Sequence, residues 1–248
     1  MKIAVCVSQV PDTTTKVKIG ADGKTIEPAG VTYIINPYDE FGVEAALQLK
    51  EKHGGETIAL CVGKEAAKEV MRKAYAMGID KGILIKTDNI LDSYAVARNL
   101  ADVLKELNAD IILFGKQSVD YDAHQVGTLT AEMLGIPSIS VVVGLTVDNG
   151  KVTAEREIEG GKEIVESELP CIIAAQRGLN NPRYPNLKGI MQAKSKPIEE
   201  RQLTYSENKT EVLAMNLPKP KAKGKIVGSD VSAVPELVKL LREEAKVI

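Results

Sequence analysis

The 248-residue chain is 44% apolar and 27% charged, ordinary for a globular protein, and it is long enough for one large domain with a sizeable appendage. Its formal charge of −2 makes no global electrostatic case for nucleic acid, and no run approaches the roughly 18 apolar residues of a membrane span. Cys6, Cys61 and Cys171 stand far apart in apolar runs, and His53 and His124 are the only histidines. The expectation is three buried, reduced thiols, no disulfide framework and no metal site. The start, "MKIAVCVSQVPD", lacks the long apolar core of a signal peptide, so a cytoplasmic location is expected.

The first 140 residues alternate short β-rich runs with amphipathic stretches. "KIAVCVS" (2–8), "TIALCVG" (57–63), "KGILIKT" (81–87) and "DIILFGK" (110–116) are near-continuous apolar runs, as strands buried on both faces should be. Helical patterns lie at 37–52, 64–77, 91–107 and 123–134. This rhythm predicts a doubly wound, mostly parallel α/β sheet with helices on both faces. An insertion, "KVKIGADGKTIEP", reads as a hairpin around Ala21-Asp22-Gly23 followed by the strand "VTYII". Asn36, Pro37 and Asp39 mark the first helix start as N-cap, first-position proline and first-turn carboxylate.

From residue 138 the pattern turns all-β. Strands separated by Asn149-Gly150 and Gly160-Gly161 read as a meander, and "PCIIAAQ" returns to a buried strand. The α/β nucleotide-binding domain is expected over 1–195, with 196–248 as an extended arm. "NLPKPKAKGK" (216–225) will not pack on itself, but "VPELVKLLREEAKV" is an amphipathic helix with Leu237, Leu240 and Leu241 on one face. That stripe must be buried against the chain's own core or against a partner subunit.

Two stretches invite chemistry. "GKQSVDYDAHQVG" (115–127) leaves a buried strand and enters a helix, where ligands collect in a doubly wound sheet. It carries neither a dinucleotide fingerprint nor a P-loop. Three readings stay open: a nucleotide cradle with free N–H groups over 122–127, a capped and solubilised loop, and carboxylate catalysis. His124 has no nucleophile beside it and reads as a lining residue. "QRGLNNPRYPNLKGIMQAKSKP" (176–197) holds Arg177, Arg183, Lys188, Lys194 and Lys196 without an acid, and Leu187, Ile190 and Met191 sit among them. A long basic loop with apolar anchors fits docking to an acidic partner; a solvated face and an RNA contact are the alternatives. With 4% aromatics and no Trp, RNA is the lesser of them.

The meander "AEREIEGGKEIVESELPCIIAA" (154–175), with "INPYDEFGVEAALQLKEK", "LFGKQSVDYDAHQVG" and "NPRYPNLKGIMQAKSKP", resembles the β subunit of electron transfer flavoprotein in order and spacing. The resemblance covers essentially the whole chain, most weakly from 200 to 225. It implies an adenine-nucleotide α hydrolase-like fold and an electron carrier rather than an enzyme. The implied partners are an α subunit holding most of an interfacial FAD, acyl-CoA dehydrogenase-type flavoenzymes as donors, and a quinone oxidoreductase or other acceptor. No nucleic acid and no membrane insertion are implied. It also implies a structural AMP in this subunit, lined by Cys6, Asn36, Pro37, Tyr38, Asp39 and Val62. The run Gly115, Lys116, Gln117, Ser118, Val119, Asp120, Tyr121, Asp122, Ala123, His124, Gln125 and Val126 completes that lining. Docking falls to Arg183, Tyr184, Ile190, Met191, Lys194 and, as the plug of an apolar pocket, Leu187.

Two departures stand out. AMP-containing members typically read Asn-Gln-Thr-Gly where this chain has His124-Gln125-Val126-Gly127, a form similar to the electron-bifurcating branch, in which a second FAD replaces AMP. "RYPNL" and "EREIEGG" resemble the AMP-type members instead. Thr13 stands where an aromatic often covers the α-bound flavin. A stand-alone adenine-nucleotide-binding enzyme or sensor is the alternative from another class.

Overall fold

The apolar runs pair side by side in parallel, as strands covered on both faces must. The computed structural model describes residues 1–221 and 223–248. Its strands are β1 (Lys2–Cys6), β2 (Gln9–Pro11), β3 (Tyr33–Ile35), β4 (Glu56–Gly63), β5 (Lys81–Lys86), β6 (Ile111–Gly115), β7 (Ser138–Asp148), β8 (Lys151–Ile158), β9 (Gly161–Glu168), β10 (Cys171–Ala175) and β11 (Glu199–Gln202). Its helices are α1 (Pro37–His53), α2 (Lys68–Met77), α3 (Ser93–Leu107), α4 (Val126–Leu134), α5 (Leu187–Ser195) and α6 (Val234–Glu243).

Nine strands form one sheet in the order β11-β5-β4-β1-β6-β10-β7-β8-β9, parallel up to β7 and antiparallel through β8 and β9. β2 and β3 form a separate antiparallel ribbon. Side chains alternate across the sheet. Ile3, Val5, Ile111 and Leu113 meet Val43, Leu47 and Met71 of α1 and α2 on one face. Ala4, Cys6, Ile112 and Phe114 meet Leu100, Leu104 and Ala131 of α3 and α4 on the other.

The expected end of the α/β domain at 195 moves outward. The sheet gains β11, in parallel register with β5, and Asn99 and Asp92 of the α3 region bind the segment after it. Asn99 Oδ1 accepts from Thr204 N at 2.9 Å, and Asp92 Oδ2 accepts from Lys209 N at 2.6 Å. The first compact unit therefore runs Met1–Leu213 and the second Ala214–Ile248. In the second unit α6 forms as expected but buries none of its residues, and Leu237 is 43% exposed.

Asp80, which in sequence marks only a helix-to-strand connection, ties three elements together. Its carboxylate accepts from Lys50 Nζ at 2.6 and 2.7 Å and from the amide of Thr57, a fully buried residue near the start of β4, at 2.9 Å. Asp80→Ala strands that amide, so stability should fall by about 1–3 kcal/mol. In urea unfolding this reads as a lower midpoint at unchanged slope; an unchanged midpoint contradicts the role.

Candidate functional site

From β1 the chain moves outward through β4 and β5, then returns to place β6 on the opposite side of β1. This reversal opens a crevice at the carboxyl ends of β1 and β6, the ligand position of doubly wound sheets. The segments after β1 and β6 flank it, and the β2–β3 ribbon delivers Asn36 and the start of α1.

Asn36 is fully buried and occupies the N-cap of α1, but its side chain makes no capping hydrogen bond, contrary to expectation. Its Nδ2 donates instead to the Gln117 carbonyl and to Asp39 Oδ1, both at 2.8 Å, and its Oδ1 accepts from the Val119 amide at 3.2 Å. Asp39 likewise does more than complement the helix dipole. Its Oδ2 accepts from the amide and hydroxyl of Ser8, both at 2.7 Å, and its Oδ1 also accepts from the Gly115 amide at 3.1 Å. Two adjacent side chains thus join the exits of β1 and β6 to α1. Gly115 is required for the fit, because a Cβ there would lie 2.4 Å from Asp39 Oδ1 and 2.7 Å from the Tyr38 backbone carbon.

The rest of the 115–126 stretch folds over this hub. The Lys116 amide donates to Ala175 O at 2.9 Å, and its ammonium sits 5.1 Å from the Tyr38 ring centroid. Gln117 Nε2 donates to Asp122 Oδ1 at 2.5 Å, and Asp122 adopts a left-handed φ of 51°. Asp120 Oδ1 accepts from the Tyr121 amide at 2.9 Å. The helix expected from 123 begins at Val126, so Ala123, His124 and Gln125 precede it; His124 and Gln125 are exposed. No side chain caps α4, which leaves its first-turn N–H groups without a side-chain acceptor. That is an anion-receptive end. Cys6, Val62 and Val126 belong to one apolar cluster. Ser118 and Val119 are half-buried on the loop, and no metal-ligating group of three His, Cys, Asp or Glu exists among the described residues.

The stretch 176–197 departs furthest from expectation: it carries a helix, α5, rather than a continuous basic loop. Asn186 caps it by accepting from the Gly189 amide at 2.8 Å, and α5 packs on α2 so closely that a Cβ on Gly189 would lie 2.5 Å from Ala76 O. Lys196 Nζ donates to Ile79 O at 2.7 Å. Arg183 is ion-paired with Glu44 and Glu51 at 2.8 and 2.6 Å, which no local pattern announces. Tyr184 and Leu187 are 96% and 81% exposed, Ile190 and Met191 also face outward, and Lys194 is exposed. Beside them a cleft of about 530 Å³ is lined by Thr13, Tyr38, Phe41, Lys73 and Arg177 among others.

Residues 24–205 match the electron transfer flavoprotein domain family. The chain is 41% identical to the electron transfer flavoprotein subunit beta of Bacillus subtilis, with all of both chains covered. It is also 41% identical to that of Syntrophomonas wolfei, over all of this chain and 98% of the relative. The mitochondrial subunit beta of Arabidopsis thaliana is 35% identical, again over the full length of both. The chain belongs to the electron transfer flavoprotein family, as a β subunit.

In this β subunit burial shifts the titration of the thiols and of Asp39. Burial raises all three thiols, Cys61 to about 12 and Cys171 to about 11, so they stay protonated and unreactive. Burial also pushes Asp39 from 3.8 up to about 6, against the donors of Ser8, Asn36 and Gly115 that favour its anion. At neutral pH it is the carboxylate that those donors hold.

Asp39→Asn should cost about 1–3 kcal/mol at pH 7, because an amide nitrogen then faces donors in a buried site. The folded-state pKa is raised, so the folded chain keeps a proton that the unfolded chain loses between about pH 4 and 6. That contribution is complete below pH 4 and lost by pH 6. The stability gap between wild type and Asp39→Asn is therefore widest near pH 4 and narrows toward pH 6; a gap that widens with pH contradicts the raised value.

Proposed function

We propose that this chain is the β half of a heterodimeric electron carrier whose α subunit holds most of an interfacial FAD. The pair takes electrons from acyl-CoA dehydrogenase-type flavoenzymes and passes them to a quinone oxidoreductase or another acceptor. FAD supplies the redox chemistry; this chain supplies scaffold, nucleotide pocket and docking surface. The observation that carries the reading is the ledge formed by Tyr184, Leu187 and Met191, large apolar side chains 96%, 81% and 73% exposed on a chain with a packed core. The unburied apolar stripe of α6 adds a second surface suited to burial against the α subunit.

In the crevice this chain holds a structural AMP. The uncapped N-terminus of α4 suits a phosphate, Asp120 and Asp122 offer carboxylate oxygens for ribose hydroxyls, and the apolar cluster of Cys6, Val62 and Val126 suits an adenine. Val126, in place of a hydroxyl, favours a second reading: a bifurcating carrier with a second FAD in this crevice.

Purified alone, the chain should be colourless; co-expressed with an α subunit, it should form a yellow heterodimer. A stable yellow monomer contradicts the subunit reading. Leu187→Ala in the heterodimer should raise the KM for reduction by the dehydrogenase about tenfold, the loss expected of an apolar anchor. Its FAD content should not change; unaltered kinetics remove the anchor.

A further inference from the structure

Segment 180–197 is held at both ends and exposed in the middle. At its start, Asn180 Nδ2 donates to the Phe41 carbonyl of α1 at 2.9 Å. Arg183 then commits its guanidinium to the same helix: Nε and NH2 bond the two Glu44 oxygens at 2.8 and 2.9 Å, and NH1 bonds Glu51 at 2.6 Å. The Arg183 amide adds a further bond to Glu44 at 3.1 Å. At the far end, Arg72 of α2 donates to the Ala193 and Lys194 carbonyls at 2.9 and 2.8 Å, and the Tyr75 hydroxyl donates to Pro197 O at 2.7 Å.

The Glu44 side chain is only 4% exposed. A carboxylate that buried depends on its cation, so Arg183 cannot swing out to an acidic partner without stranding an uncompensated charge. Its planar fork grips both Glu44 oxygens in parallel while NH1 reaches Glu51, a bidentate geometry that a lysine ammonium does not reproduce. Pro182 and Pro185 stiffen the same stretch, so order imposed at Arg183 passes directly to Tyr184 and the start of α5.

We propose that Arg183 is a positioning residue: by clamping 180–183 to α1 it presents Tyr184 and Leu187 as a preformed ledge, and it makes no contact with the partner itself. This rests on the docking reading above. The ordering cost of the ledge is met within the chain rather than at encounter, which favours fast exchange of partners.

The test uses the full chain in its heterodimer, as Glu44→Gln and as Glu51→Gln. Glu51 is 59% exposed, so the second variant folds even if the buried one does not. Amide hydrogen exchange over 180–191 should quicken about tenfold in Glu44→Gln, and less in Glu51→Gln, with β1 and β6 unchanged. Unaltered exchange in both variants overturns the clamp. With a purified acyl-CoA dehydrogenase reduced by butyryl-CoA, the KM for the carrier should rise about threefold or more in Glu44→Gln, at unchanged kcat and flavin content. A lower KM in either variant, the result if a released Arg183 met the partner directly, overturns the positioning role. A wild-type heterodimer that the dehydrogenase does not reduce overturns the docking reading and the functional half of this proposal; the exchange result still decides the clamp.

Discussion

A buried carboxylate with four donors pointed at it, Asp39, sets the shape of the site. It gathers the amide and hydroxyl of Ser8, the Asn36 amide and the Gly115 amide, and so closes the ends of β1, α1 and β6 on one another. Asn36 extends the grip to Gln117 and Val119. Burial makes the arrangement costly for a charge, and the donors of Ser8, Asn36 and Gly115 work against that cost. With the Lys116 amide bound to Ala175 O, that set fixes the course of the 115–126 stretch as it leaves β6.

Helix α1 connects this hub to the outer surface. Its first turn carries Asp39, and further along the same rod Glu44 and Glu51 hold Arg183, with the apolar ledge following directly. Electron transfer of itself calls for no nucleophile or general base. It needs cofactor distance and partner geometry to be reproducible, and a helix with a hydrogen-bonded hub in its first turn and the Arg183 ion pairs further along is suited to that.

Much of this was legible in the residues because the signals are local. The parallel strands announce themselves as continuous apolar runs, and Asn149-Gly150 and Gly160-Gly161 mark the meander turns. What escaped depends on partners distant in sequence. Asn36 looks like a helix cap because its true acceptor, the Gln117 carbonyl, lies 81 residues away. Arg183 looks like a surface cation because Glu44 lies 139 residues away. The helix α5 is short, basic and preceded by prolines; packing on α2 supports it more than propensity does. The charged strand β11, "EERQ", carries no apolar alternation because it is an exposed edge. The helical pattern expected from 123 begins only at Val126, which leaves His124 exposed before α4 and Val126 packed at its start.

Those two residues bear on what fills the crevice. The most direct measurement is a count of the nucleotides and flavins released when the purified heterodimer is denatured. AMP and FAD are expected in equal amounts, one of each per heterodimer. Two flavins with no AMP, or no adenine nucleotide beyond the single FAD, would contradict it.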